Sequence, residues 1–358
     1  MESFVLISFY IIFISIVFPI KKFRQLGSRF TNNEKIYLFL TVFFMLFLAS
    51  FRRYDIGNDT EAYHRFFSHM VAGNYSYDGR VEIGFRCLNI LISKFTDNYT
   101  VFLLIVYTFL FSSLILFIKR EVTNLKMFVC IFWLFGFITF VSPIRQTIAL
   151  AIVLLSIKFI KDNRFFIFYF SCFVAATFHA TAFVAIVFPF LYLLKPKKSK
   201  TYLILLATLI AVGTNAFSFI ATKFLGEYYS RYLNVQSGIT AVIFNVSFSL
   251  VPILIEDKFI DNSQFRNLEA YRLMKFGTLI YACFYIVSLY TSGAGRLAYF
   301  FCPLVIVYWG YVINALKFKL RISVNFVIIT VLFVYRIFVL FYRPEWNSFF
   351  PFHFIWTP

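Results

Sequence analysis

Charge is what this sequence has least of. Only 14% of its 358 residues are Asp, Glu, Lys or Arg, against 61% that are hydrophobic. A water-soluble domain carries about a quarter charged residues. A deficit of this size cannot be hidden in a soluble core, because the surface must still be covered. Acidic residues are the scarcer sign, 16 against 34 Lys and Arg, for a formal net charge of +18. The five cysteines (Cys87, Cys130, Cys172, Cys283, Cys302) form no CxxC pair and no metal-ligand spacing. Most lie inside apolar runs, where cysteine behaves as a small hydrophobe. The chain also lacks a Walker loop, a G-x-S-x-G elbow and a zinc motif, which argues against an ATP-driven transporter.

What the chain has instead is hydrocarbon. Apolar runs of about 20 residues recur along its whole length, the length needed to cross a bilayer as a helix. Phe alone occurs 54 times, which suits lipid-facing helices and a pocket for long lipid chains. The sequence predicts an all-α polytopic membrane protein with about twelve spans. They fall at about residues 4–20, 36–51, 99–118, 127–141, 144–161, 165–178, 180–194, 202–221, 239–255, 276–291, 297–316 and 322–341. Glu2 stands where a signal peptide would be basic, and no clear A-x-A site follows, so the first span is expected to be retained. Most Lys and Arg fall in alternate short loops, which the positive-inside rule assigns to the cytoplasm, with both termini outside. The basic excess is therefore topogenic and does not point to nucleic acid. The whole chain, 1–358, reads as one integral membrane domain without an internal repeat. It has one long external loop at about 52–98 and a smaller one at about 223–238. Val81–Phe95, at helical spacing, is expected in or along the membrane interface.

The stretch 52–67 is the most polar break. With the topogenic charges set aside, the outer face keeps Arg52, Arg53, Asp55, Asp59, Glu61, His64, Glu82, Arg145, His179, Arg231, Arg296 and Arg343. Arginine predominates there although topology does not need it. Its planar fork stays charged and binds phosphate through two bonds. An arginine near hydrocarbon costs about 2.5–3.5 kcal/mol, so several on one face suggest an anionic ligand such as a lipid diphosphate. Each also has a plainer role. Arg145 and Arg296 can snorkel, His179 can be a satisfied interfacial residue, and Asp59 can cap a helix over Thr60–Met70 with Glu61 in its first turn. Arg52, Asp55 and Glu61 read as solvating or capping groups, and the charged segment 256–275 as a solvated cytoplasmic connection. The spans carry almost no charge in their middles, which disfavours a secondary transporter.

Arg53-x3-Gly57-x-Asp59-x3-Tyr63-x2-Phe66 follows the second span and resembles the signature of the EpsG family. Glu82-x-Gly84-Phe85, Arg145-Gln146-x2-Ala149, Phe178-His179-x-Thr181-Ala182 and Arg296 follow in the order that family shows. The resemblance implies a Wzy-type polymerase of O-antigen or exopolysaccharide repeat units, with a GT-C-like architecture, in the bacterial inner (cytoplasmic) membrane and active at its outer face. It implies a polyprenyl-diphosphate-linked (undecaprenyl) glycan as donor and another as acceptor, with no metal, nucleotide or other cofactor. A chain-length regulator is a further candidate partner. Arg53, Arg145 and Arg296, with Arg231 and Arg343 weaker, are expected to bind diphosphate. His179, Asp59 and Glu82 are the candidate catalytic bases, and Tyr63, Tyr228 and Tyr229 the candidate sugar-stacking rings. The rival readings are an O-antigen ligase, a lipid-linked oligosaccharide flippase, and an acyltransferase, which would want its catalytic His on the cytoplasmic side.

Overall fold

The structure is a computed structural model that describes residues 2–20, 24–76, 81–195, 203–205, 207–208, 237–261, 270–343, 348–349 and 351–356. Among these residues the fold is helical, and the only β feature is an isolated bridge between Arg52 and Phe354. In chain order the helices are α1 (Glu2–Val17), α2 (Asn32–Ser50), α3 (Thr60–Val71), α4 (Ile83–Ser93), α5 (Tyr99–Glu121), α6 (Leu125–Val141), α7 (Ile144–Lys161), α8 (Phe165–Ala176) and α9 (Ala180–Leu193). After the smaller loop come α10 (Ile239–Phe259), α11 (Tyr271–Val287), α12 (Gly293–Ala315) and α13 (Phe318–Tyr342). Helices α2, α5, α10, α12 and α13 are long and apolar enough to cross a membrane, and α1, α4, α6, α8 and α9 are shorter apolar helices. The chain is an all-helical membrane protein. The expected span at 202–221 and the loop at 223–238 lie mostly outside the described residues.

Helix starts follow local chemistry. Thr31 caps α2 in a capping box with Glu34, and Asn98 and Asn124 cap α5 and α6 by accepting from backbone N–H groups. Helix α6 contains a π turn, Phe132–Gly136. Such a turn shifts the backbone ladder and leaves carbonyls for other donors. Arg336 of α13 takes two of them, with Nε donating to Leu134 O and Nη2 to Phe135 O, both at 2.8 Å. Arg336 is thus buried, at 3% exposure.

The chain divides into two compact units, one of Met1–Phe159, Phe166–Phe183 and Lys319–Pro358, the other of Ile160–Phe165 and Val184–Phe318. The first is organised around Arg52, which is 1% exposed. Nε donates to Ile56 O at 3.1 Å and Nη1 to Ala49 O at 2.8 Å. Nη2 reaches Val141 O and the Tyr107 hydroxyl at 2.9 Å and Thr60 Oγ1 at 3.4 Å. Every acceptor is a carbonyl or a hydroxyl. Arg52 is therefore no solvating residue: it ties the end of α2, the loop after it, α5 and the end of α6. The C-terminal segment completes this loop. Arg53 N–H donates to His353 O at 2.9 Å, Gly57 N–H to Ser348 O at 2.7 Å, and Ile355 N–H to Phe51 O at 3.1 Å. Gly57 has φ +103°, and a Cβ there would lie 2.8 Å from Thr60 Oγ1 and 3.0 Å from Ser142 Oγ. Only glycine fits both constraints.

The second unit holds the residues read as a solvated connection, and here the structure corrects the sequence. Glu256 lies in the last turn of α10 and Lys275 near the start of α11, exposed 0% and 3%. Lys275 Nζ and the Tyr271 hydroxyl each donate to Glu256 Oε1 at 2.5 Å, and the Tyr308 hydroxyl of α12 donates to Oε2. One carboxylate thus joins three helices. One turn earlier Pro252 lacks the N–H that would bond Phe248 O, and Trp309 Nε1–H supplies the missing donor at 2.9 Å.

Two outcomes follow from these buried charges. Lys275→Met leaves Glu256 without its counter-charge and is expected to cost about 3–5 kcal/mol, whereas adding Glu256→Gln restores more than half of the loss. Unfolding midpoints in detergent micelles, compared in a double-mutant cycle, check this. Arg52→Lys keeps the charge but offers one nitrogen where three are used, and is expected to cost about 2–4 kcal/mol on the same assay.

Candidate functional site

The site in the first unit grows from the corner between α6 and α7. Ser142-Pro143 ends α6, and Arg145 is the second residue of α7. Its Nη1 meets Glu82 Oε2 at 2.6 Å, Nε donates to the Tyr63 hydroxyl at 3.4 Å, and Cζ lies 5.6 Å from the Tyr63 ring centroid. The Arg145 and Glu82 side chains keep 23% and 24% exposure, so the pair sits at a wet edge and not in the core. Glu82 occupies the N-cap position of α4 but does not cap its own helix. Its Oε1 instead accepts from Ala180 N–H at 3.3 Å, at the start of α9.

Gly84 explains why Glu82 can reach so far. Its N–H donates to Thr177 O at 2.7 Å. A Cβ there would stand 2.4 Å from Thr177 Oγ1 and 2.8 Å from Thr177 O. Next to it, Phe85 is wholly buried, with ring centroids 5.4 Å from Tyr63 and 5.9 Å from Phe66. Segments read separately in the sequence, Tyr63-x2-Phe66, Glu82-x-Gly84-Phe85, Arg145 and the stretch beginning at Phe178, are therefore one packed cluster.

His179 follows α8 and is 9% exposed. Its Nδ1 lies 2.6 Å from Thr181 Oγ1 and accepts from Thr181 N–H at 3.3 Å. A nitrogen that accepts a backbone N–H cannot carry the ring proton, so neutral His179 holds it on Nε2. In this arrangement His179 offers a donor; to act as a base it must first give up that proton. Asp59 occupies the N-cap position of α3 with no side-chain capping bond, and it is exposed. The capping role expected of it is not realised.

Tyr63 is 7% exposed, its ring against Phe85 and under Arg145. This corrects the expectation of a sugar-stacking ring, since Tyr63 supports the guanidinium from within. Burial pushes its phenol up to about 12, with Arg145 opposing, so the hydroxyl stays protonated at neutral pH. Glu82, expected among the bases, is committed to Arg145 and Ala180. Arg53 forms a forked pair with Asp55, Nη2–Oδ2 2.7 Å and Nε–Oδ1 2.9 Å, which holds the Asp55 carboxyl below the usual carboxylate range. Arg343 is exposed just past the end of α13, and Arg296 is exposed in the first turn of α12, in the second unit. Arg231, Tyr228 and Tyr229 lie outside the described residues. Sequence reasoning passed over Thr177, Ala180 and Ser142, which act through backbone groups or close approach and carry no signal by residue type.

Gly84→Ala is expected to cost about 1–3 kcal/mol by forcing α4 away from Thr177. Gly295→Ala, where a Cβ meets nothing within 4 Å, serves as the neutral comparison in the same thermal-unfolding measurement.

A family model matches residues 35–354, a range that takes in every part of this cluster. No curated protein and no solved structure matches the chain. The match covers nearly the whole sequence, and the chain therefore belongs to the EpsG family, which is associated with Wzy-type polymerases.

Proposed function

We propose that this protein polymerises polyprenyl-diphosphate-linked oligosaccharide repeat units at the outer face of the bacterial cytoplasmic membrane, yielding O-antigen or exopolysaccharide. The observation that carries this reading is the cluster itself. The dispersed segments that resemble the family signature meet around one partly exposed arginine, Arg145, held by Glu82 and Tyr63.

In the proposed step a hydroxyl of the acceptor glycan attacks the anomeric carbon of the donor glycan. A new glycosidic C–O bond forms, the sugar–diphosphate C–O bond breaks, and polyprenyl diphosphate leaves with the electron pair. The hydroxyl proton passes to a base. Asp59 is the better base, being exposed and free of capping duty. His179, with its proton on Nε2, suits hydrogen-bond donation to the departing diphosphate. Arg145 uses Nε and Nη1 within the cluster, and Nη2 is the nitrogen left for a diphosphate oxygen. Arg53 and Arg343 of the first unit would supply further positive charge, easing the approach of two anionic lipids, and Arg296 and Arg231, expected from the sequence to bind diphosphate, are candidates to be tested beside them. Fixed guanidiniums aimed at developing negative charge need no nucleotide and fill the role a divalent cation has elsewhere.

The test is elongation of a purified single-repeat lipid carrier by the protein in liposomes. A polymerase lengthens the glycan, a flippase leaves its length unchanged, and a ligase moves it only when lipid A core is added. Arg145→Ala is expected to lower elongation by about 10²–10³-fold, and Asp59→Asn by about 10²–10⁴-fold. Long polymer from Arg53→Ala, Arg145→Ala and Arg296→Ala alike would overturn the assignment of the diphosphate site.

A further inference from the structure

Helix α4 has an edge that none of the described residues covers. Ile83 is 69% exposed, Leu91 56% and Phe95, just past the helix, 83%, with Cys87 exposed between them. These residues recur every fourth position and so form one stripe along the helix. The opposite edge, Phe85, Asn89 and Ile92, is buried. A continuous apolar stripe of this kind is not stable against water. Nor can α4 cross a bilayer: its 11 residues span about 16 Å, roughly half of a hydrocarbon core of about 30 Å.

We propose that α4 lies flat in the headgroup layer, with the Ile83–Cys87–Leu91–Phe95 edge in the acyl boundary. The occupant of this surface is the bilayer itself. Continuity along the chain supports the choice. Four residues after Phe95 begins α5, a helix long and apolar enough to span, and its first turns expose Val101, Leu104, Ile105 and Phe109 at 36–44%. The apolar edge of α4 thus runs directly into the lipid-facing edge of a spanning helix. Exposed Lys94 sits at the turn between them, where a long cationic side chain can reach water and lipid phosphates.

The consequence reaches the site. Glu82 is the residue before α4, and Gly84 fixes the helix to Thr177. If α4 rests in the headgroup layer, the Glu82–Arg145 pair is held at the depth of lipid phosphates. This inference concerns depth alone and stands whether or not the proposed reaction does.

Cys87 gives a direct test, because it is the exposed one of the five cysteines and the other four are buried. A nitroxide is attached to native Cys87 of the full chain in phosphatidylethanolamine/phosphatidylglycerol liposomes. Its collision rates with oxygen, which partitions into lipid, and with a water-soluble nickel chelate are measured by power saturation. Tyr75→Cys in a Cys87→Ser background supplies the reference on the loop before α4. The expected result is oxygen access above nickel access at Cys87 and the reverse at position 75. Nickel access above oxygen access at Cys87 would place this edge in water and overturn the proposal. So would exclusion of both reagents with label–label dipolar broadening, which would mean that a second copy covers the edge. Because the informative label is on a native residue, the result stands even if the reference variant does not fold.

Discussion

A guanidinium buried without a carboxylate sets the terms for the first unit. Arg52 is nearly sealed from solvent, and its donors go to Ile56 O, Ala49 O, Val141 O, Tyr107 and Thr60. An uncompensated charge is expensive to bury, and it survives only because each acceptor is a fixed dipole. Those acceptors lie on α2, the following loop, α3, α5 and the end of α6. The loop therefore cannot shift without stranding the charge, and what the loop carries is fixed with it: Arg53 and Asp55 on one side, Asp59 and α3 on the other. Through α3 the constraint reaches Tyr63, and through Tyr63 it reaches Arg145.

The same solution recurs. Arg336 spends its donors on carbonyls released by the π turn of α6. Arg24 is a mixed case: it donates to Lys119 O at 2.9 Å but, unlike Arg52, also stands 3.6 Å from a carboxylate, that of Glu34, and it ties the segment before α2 to the end of α5. A helical protein in lipid has few polar contacts with which to fix its geometry, because apolar packing alone competes with equally apolar lipid tails. Arginine, with five donors in a rigid fork, can join several main-chain segments at one point. In the second unit Glu256 does the converse job, gathering Lys275, Tyr271 and Tyr308 from two neighbouring helices onto one carboxylate.

The helices were legible in the sequence because their signal is local. Apolar runs place most of them. The candidate site was legible as residue types, and Arg145, Glu82, Tyr63 and Asp59 do stand in or beside one cluster. Their roles were less so, because a role depends on what faces a side chain. Arg52 and Arg53 are adjacent and chemically identical, yet one is sealed in the core and the other pairs with Asp55 at the surface. Tyr63 looked like a stacking ring until Phe85 and Arg145 were found against it. Glu256 and Lys275 lie on different helices that fold back on each other, so along the chain they looked like the two ends of a polar connection. Backbone donors such as Ala180 N–H leave no trace in sequence at all.

The strap contacts made by Ser348, His353 and Ile355 bear on how the protein is made. Arg53 and Gly57 give their N–H groups to carbonyls that lie far downstream in the chain. When α2 and α3 leave the ribosome those carbonyls do not yet exist, and the loop between them has to wait through the synthesis of α4 to α13. Contacts so distant in sequence form late. The arginine loop is thus an early-synthesised part whose final shape is set by a late one, so an immature chain presents its helices before it presents a finished site.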